Sequence, residues 1–167
     1  MAGDMYMEID GIKGESTDKD HAGWFEITSY SFAANQPAAA TRSTAGGATV
    51  ERVYLSDFSV TKSMDIGTPS LALACCTGRA LKKITISCWR SDTTGEKPTP
   101  VEYIKYVLTD AIITNYSVSG GAGDIPSESI SFNYAKITWN YLPQKEGGGG
   151  KEGNKESGWD LFKNEAV

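Results

Sequence analysis

Apolar and polar side chains alternate from the start of the chain. Met5, Met7 and Ile9 fall on one parity and Tyr6, Glu8 and Asp10 on the other, the period of a strand with one buried face. A turn rich in Gly, Ser, Asp and Lys follows over residues 11–20. Residues 24–32 alternate again, with Trp24, Thr28, Tyr30 and Phe32 on one side and Phe25 and Ile27 on the other, and this predicts a second strand. A strand resumes at Val50, with Val53 and Leu55 on one parity and Phe58 and Val60 on the other, and the phase change near Ser56 and Asp57 predicts a bulge. Strands are also predicted over 81–89, where Ile84, Ile86 and Cys88 share a face, and over 101–118. A last long strand carries Ile130, Phe132 and Tyr134, then shifts phase to Ile137, Trp139 and Tyr141, a second expected bulge.

One stretch breaks the period of two. Residues 69–77, Pro69 through Thr77, read as the single convincing helix, because Thr68 offers a capping hydroxyl, Pro69 has its φ preset for a first turn, and Gly78 can close the last turn left-handed. From Leu71 to Cys76 every position is apolar. Leu71 and Leu73 point to opposite sides, since successive residues are about 100° apart around the axis. A helix that is apolar all round is normally buried all round. One side is therefore expected on its own barrel and the other, with Leu73 and Cys76, against a neighbouring subunit. The plainer alternative leaves Ala72, Ala74 and Cys76 facing water as small residues. The 101–118 strand is apolar on both parities, so Tyr103 and Val107 are also assigned to a subunit interface.

The remaining segments are polar. Residues 33–48 form an extended loop of Ala, Thr, Ser, Gly, Asn and Gln, uncharged apart from Arg42, and suited to lying against another protein. Residues 143–157 read as a flexible Gly-rich segment, and 158–164 as a terminal short strand in which Trp159, Leu161 and Phe162 redock. The fold class is mainly β: one domain over 1–167, a β-barrel of two antiparallel sheets with bulged strands and one short flanking α-helix.

A chain of 167 residues can bury about 70% of its unfolded surface without a staple. The net charge is −5 and Lys and Arg are scattered, apart from Arg79, Lys82 and Lys83, so no stripe exists for nucleic acid or anionic lipid. The longest apolar run is far shorter than the roughly 20 residues that span a bilayer, so no membrane insertion is expected. The start lacks the basic and apolar regions of a secretory signal, which predicts folding in the cytosol and any export without a cleaved signal peptide. Cys75, Cys76 and Cys88 are read as reduced, buried, small apolar side chains.

Catalytic material is sparse. His21 is the sole histidine, too little for a triad or a multi-histidine metal site. With Asp18 and Asp20 it resembles the start of a calcium loop, but Ala22 and Ser29 stand where oxygen ligands are required, leaving a solvated turn. Gly120, Gly121 and Gly123 lead to Pro126 and a strand, so they make a turn and not a phosphate cradle. Asp57, Asp65, Asp110 and Glu128 lie near strands without a spacing that singles out a pair, and Asp65 suits the start of the helix. No catalytic residue, cofactor site or metal site is assigned. A structural subunit is the leading reading, followed by a small β-barrel module binding carbohydrate or protein through Trp24, Trp89 or Tyr103, and then by a hydrolase.

Several segments, in order along the chain, resemble the haemolysin-coregulated protein (Hcp) family, the tube protein of the type VI secretion system. They are Met5-Tyr-Met-Glu-Ile-Asp-Gly-Ile-Lys-Gly-Glu-Ser16, Asp57-Phe-Ser-Val-Thr-Lys-Ser-Met-Asp65 with Thr68-Pro-Ser-Leu71, Val101-Glu-Tyr103, Tyr141-Leu-Pro-Gln-Lys145, and Gly158-Trp-Asp-Leu161 with Asn164. The resemblance implies a two-sheet barrel with a flanking helix, six copies closing into a ring, and rings stacking into a hollow tube. It also implies a contractile sheath, a spike and secreted effectors as partners, with small effectors carried in the ring lumen. It would place the 33–48 loop, with Asn35, Gln36, Arg42, Thr44, Gly46 and Gly47, at the contact between rings. Phe32, where the family often has tryptophan, and the alanine-rich loop depart from the pattern.

Overall fold

The computed structural model describes residues 3–38, 51–92, 99–143 and 153–167. Its strands are β1 (Met5–Ile9), β2 (Phe25–Glu26), β3 (Ser29–Ser31), β4 (Ala34–Asn35), β5 (Tyr54–Leu55) and β6 (Phe58–Ser63), then, after the helix α1 (Thr68–Thr77), β7 (Leu81–Asp92), β8 (Thr99–Ser119), β9 (Ser127–Tyr141), β10 (Lys155–Asp160) and β11 (Glu165–Ala166). All pairings are antiparallel. The main sheet runs β11-β10-β9-β8-β7-β1-β2, with β6 beside the first part of β9 and β3 beside β6, while β4 and β5 form a small second sheet. The sheets wrap a core of Met7, Phe25, Phe58, Ile84, Ile86, Leu108, Ile130, Phe132 and Ile137, as the mainly β pattern requires, but the ladder does not close into a barrel.

The opening lies where one predicted strand becomes two. Over residues 24–32 the backbone changes partner between neighbours: Ile27 donates its N–H to the Met5 carbonyl at 3.0 Å, and Thr28 donates to the Thr61 carbonyl at 2.8 Å. The segment thus passes from β1 to β6, and both of its apolar sets serve the core, Phe25 and Ile27 before the crossing and Tyr30 and Phe32 after it. The expected bulge at Ser56 and Asp57 is likewise a break, since β5 pairs with β4 and β6 pairs with β3 and β9. The start of the expected 33–48 loop is strand β4, and the terminal strand begins at Lys155, earlier than Gly158.

True register shifts fall between Cys88 and Trp89 in β7, and between Ile113 and Asn115 in β8. The phase change in β9 occurs as expected, with Tyr134 and Ala135 both buried, yet its ladder with β8 keeps register there. The cause lies across the ladder in Asp110, whose φ of 50° turns β8 so that Tyr106 and Leu108 face inward before it and Ala111 and Ile113 after it.

The helix starts one residue earlier than expected and has Gly67 as its N-cap, with no side-chain cap. The Thr68 hydroxyl accepts instead from the Asp65 N–H at 3.0 Å, outside the helix. A Cβ on Gly67 would stand 2.4 Å from the Phe25 ring, so only glycine allows the chain to pass there. Gly78 closes the helix at φ 62°, with the N–H groups of Gly78 and Arg79 donating to the Cys75 and Ala74 carbonyls.

Below the helix start lies a buried ion pair that the sequence pattern does not announce. Lys62 and Glu128 are both fully buried and face each other across β6 and β9, with Nζ 2.6 Å from Oε2. Nζ also donates to the Ser63 carbonyl at 2.8 Å and lies 3.1 Å from the Asp65 carboxylate and 5.3 Å from the Phe25 ring centre. The Tyr116 hydroxyl donates to Glu128 Oε1 at 2.7 Å, and the Thr68 hydroxyl adds a hydrogen bond. Burial raises the Glu128 pKa, but the hydrogen bonds from Lys62, Thr68 and Tyr116 and the Lys62 charge hold it below the ordinary value.

Replacing Glu128 with Gln should lower stability at pH 7 by about 3 kcal/mol in urea unfolding, because it leaves a buried ammonium short of a carboxylate. A group whose pKa falls on folding stabilises fully above its unfolded value and loses that contribution as pH falls through the folded one. The gap between variant and wild type should therefore narrow below about pH 4. A gap undiminished at pH 3 would mean that Glu128 acts through shape alone.

Candidate functional site

The residues that could have carried chemistry are occupied structurally. His21 is 5% exposed, and its ring stacks on Tyr6 at 4.2 Å with the edges of Trp24 and Trp89 at 5.0 and 4.9 Å. Its Nδ1 lies 2.6 Å from Asp18 Oδ1, which also accepts the N–H groups of Asp20 and His21. The hydrogen bond from His21, joined by those backbone donors, holds the Asp18 carboxyl below the usual carboxylate range. The expected solvated turn is thus anchored by a buried imidazole among aromatic rings. The same packing leaves Trp24 and Trp89 half-buried against the imidazole, and Trp89 Nε1 donates to Ser87 Oγ. Tyr103 lies half-buried with the Arg90 guanidinium 5.3 Å from its ring centre. Asp65 and Glu128 meet at Lys62 and carry no free acid–base pair. Among the described residues no cluster of His, Cys, Asp or Glu could hold a metal ion.

Among the described residues, one sheet face is built of rows of small polar side chains, with Asp57 at its margin accepting from Thr114 and Asn133. Across β3, β6, β9 and β8, Ser31, Ser59, Ser131 and Asn115 form one row, and Ser29, Thr61, Ser129 and Ser117 the next. Ser63, Ser127 and Ser119 continue the pattern over three strands. Every one of these residues is exposed or half-buried, while the opposite parity places Tyr30, Val60, Ile130 and Phe132 against the core. The Ser59 and Ser131 hydroxyls meet at 2.8 Å. Sequence reasoning passed over these residues, although Ser-Glu-Ser-Ile-Ser-Phe-Asn at 127–133 alternates as strictly as any strand in the chain.

Two apolar surfaces complete the inventory. On α1, Leu71 and Ala74 are buried against the core, whereas Leu73 is 63% exposed and Cys76 is exposed beside it. Cys75 is half-buried and Cys88 fully buried, its thiol pushed up to about 11 by burial, so only Cys88 is fully enclosed as all three cysteines were expected to be. Val107 is half-buried in β8, well apart in sequence from the helix that was expected to share an interface with it. Asn35 pairs with Tyr54, and the Gln36 amide donates to the Glu51 carbonyl; Arg42, Thr44, Gly46 and Gly47 lie outside the described residues. The second apolar surface is a groove of about 400 Å³ whose lining includes Tyr54, Leu55, Ile112, Tyr134, Leu161 and Phe162. Trp159 and Leu161 redock as expected, but Phe162 is 82% exposed on a turn whose N–H groups are held by Asp160.

A family model described as "Type VI secretion system effector, Hcp" matches residues 6–141, most of the chain. The chain belongs to the Hcp family. Protein hcp1 of Pseudomonas aeruginosa is 32% identical over 165 residues, covering 98% of both chains. A major exported protein of the same organism is 34% identical over 89 residues, about half of each chain. Among solved structures, one described as a type six secretion system protein superposes with a TM-score of 0.85 at 31% identity, over 99% of this chain and all of that one. Hcp1 from Salmonella typhimurium shares the fold, with a TM-score of 0.79 at 24% identity over the full length of both. The family description ties this Hcp-family chain to type VI secretion. Among the described residues no helix is long and apolar enough to cross a membrane.

The His21 cluster yields a direct test. His21→Ala should lower the thermal unfolding midpoint by the equivalent of roughly 1–3 kcal/mol, since it removes three ring contacts and the anchor of the turn. Asp20→Asn, at an exposed position, should stay within about 0.5 kcal/mol of wild type. Millimolar calcium should leave the midpoint unchanged; a rise would restore the turn as a cation site.

Proposed function

We propose that this Hcp-family chain is a tube subunit: six copies close into a ring, rings stack into a hollow tube, and the hydroxyl face of β3, β6, β9 and β8 lines the channel. Those rows, in which no side chain is charged, are the observation that carries the reading. A wall of small hydroxyls stays wetted and offers short-range hydrogen bonds, yet it exerts no long-range charge that would trap a passing polypeptide. Small effectors would be carried against it, and the tube would travel with a spike inside a contractile sheath. Assembly would occur in the cytosol, before release by the type VI machinery. Leu73 and Cys76 on the helix, together with Tyr103 and Val107 on β8, are the proposed contributors to the contacts between subunits. Contacts between rings are proposed for the loop that contains Asn35, Gln36, Arg42, Thr44, Gly46 and Gly47.

A second reading, a small ligand-binding module, rests on a cleft of about 340 Å³ whose lining includes Ile104, Tyr106, Trp139 and Tyr141. Light scattering with negative-stain imaging separates the two. Wild type should give six-fold rings, and Leu73→Asp a folded monomer. Normal rings from the variant would remove the helix from the interface, and an unfolded variant would place Leu73 in the core. A monodisperse wild-type monomer at tens of micromolar would favour the ligand-binding module.

A further inference from the structure

The two ends of the β8–β9 ladder carry unlike apolar surfaces. At one end, where Ile104 pairs with Tyr141, lies the cleft of about 340 Å³ whose lining includes Ile104, Tyr106, Trp139 and Tyr141. Ile104, Tyr106 and Trp139 pack against the core, so the cleft opens on the core side of the sheet and not on the face of the serine rows. Tyr141, at its rim, is 45% exposed. At the other end, residues 120–126 join β8 to β9. Gly120, Gly121, Ala122 and Gly123 keep this turn slim, and Ile125 projects from it, 71% exposed. Val118, on the strand leading into the turn, is 52% exposed. Turns are built from Gly, Pro, Asn, Asp and Ser, and this one gains nothing from an isoleucine in water. About 45 Å of strand separates Val118 from Ile104, so turn and cleft do not meet within one chain.

We infer that copies in successive rings join through these two surfaces, the 120–126 turn of one copy seating in the cleft of the next with Ile125 against Trp139 and Tyr141. This rests on the stacked-ring reading and adds a contact to the one assigned to the loop that contains Asn35. Charge selects the same partner. Asp124 is the sole charged residue of the turn, and it is exposed and makes no ion pair among the described residues. Lys155 stands opposite Tyr141 on the cleft side of β10, also exposed and without an ion pair. Glu156, the other charged residue of the lining, stands opposite Asn140 and falls by alternation on the other face, where its carboxylate accepts from the Asn154 amide. The cleft side of the strand therefore presents a cation to the anion of the turn. Because the two surfaces differ, the contact is heterologous, each copy offering a turn at one end and a cleft at the other. Repeated, such a contact adds rings in one direction and never stops at a pair.

The test links the two ends covalently. Cys76→Ser removes the exposed native thiol, and Ile125→Cys and Tyr141→Cys are introduced together in that background. Concentrated rings treated with a short bis-maleimide should give a ladder of chain multiples on a denaturing gel that runs past six chains, whereas neither single cysteine variant should go beyond a pair. A ladder that stops at six would place the contact inside one ring and overturn its assignment to stacking. Rings that stack in negative stain without a ladder would overturn the pairing, give the cleft to another occupant and leave the tube reading standing. Rings that stay single at every concentration, again without a ladder, would overturn the pairing as well. A wild type that forms no rings would overturn the tube reading and the pairing with it. A charge swap guards against a defect of the cysteine variants. Asp124→Lys should raise the concentration at which rings sediment as stacks at least tenfold while leaving single rings intact, and Asp124→Lys with Lys155→Asp in the same chain should restore it. Failure of that double variant to recover, with its rings intact, would overturn the charge pairing that orients the turn in the cleft.

Discussion

A lysine ammonium enclosed by protein must find its counter-charges at fixed positions, and in this fold that requirement ties four elements together. Lys62 of β6 stands opposite Glu128 of β9, Asp65 approaches from the segment before the helix, and Tyr116 of β8 completes the carboxylate. The pair does more than join strands. Because side chains alternate along a strand, sliding β6 by one residue would carry Lys62 to the solvent side and drive Ser59 or Thr61 into the core. The register that encloses the ion pair is therefore the register that gathers the serines into rows on the other face. Breaking it leaves a stranded buried charge, which is far costlier than losing a surface contact.

Most of the secondary structure was legible because it rests on local rules. The alternation at 5–9 is β1, the run from Leu81 is β7, and Pro69 and Gly78 bracket the helix within a residue. What the pattern could not supply were the places where a strand changes neighbours. An alternation of apolar residues looks the same whether Ile27 and Thr28 share a partner or bond to opposite walls, because the choice is made by strands distant in sequence. The pattern of period two also hid Lys62 and Glu128, since polar residues at inward positions read as faults until each is seen to satisfy the other.

The candidate site was legible in part. A helix apolar on every side announced the exposed Leu73, and the strand rich in both parities announced incomplete cover, though Val118 and Ile112, and not Tyr103, are its most exposed large apolar residues. Phe162 was expected to redock with Trp159 and Leu161, whereas the Asp160 turn holds it outward. The serine rows were missed because a search for chemistry favours reactive side chains, and these are notable for having none.

That neutrality has an evolutionary side. The hydroxyls at Ser29, Ser117 and Ser129 make none of the core contacts and stand outside the Lys62 network. Replacing them alters what the surface offers while costing folding little, within the range of ordinary surface substitutions of about 0.5 kcal/mol. Selection can thus rewrite this wall residue by residue while the scaffold beneath it is inherited unchanged.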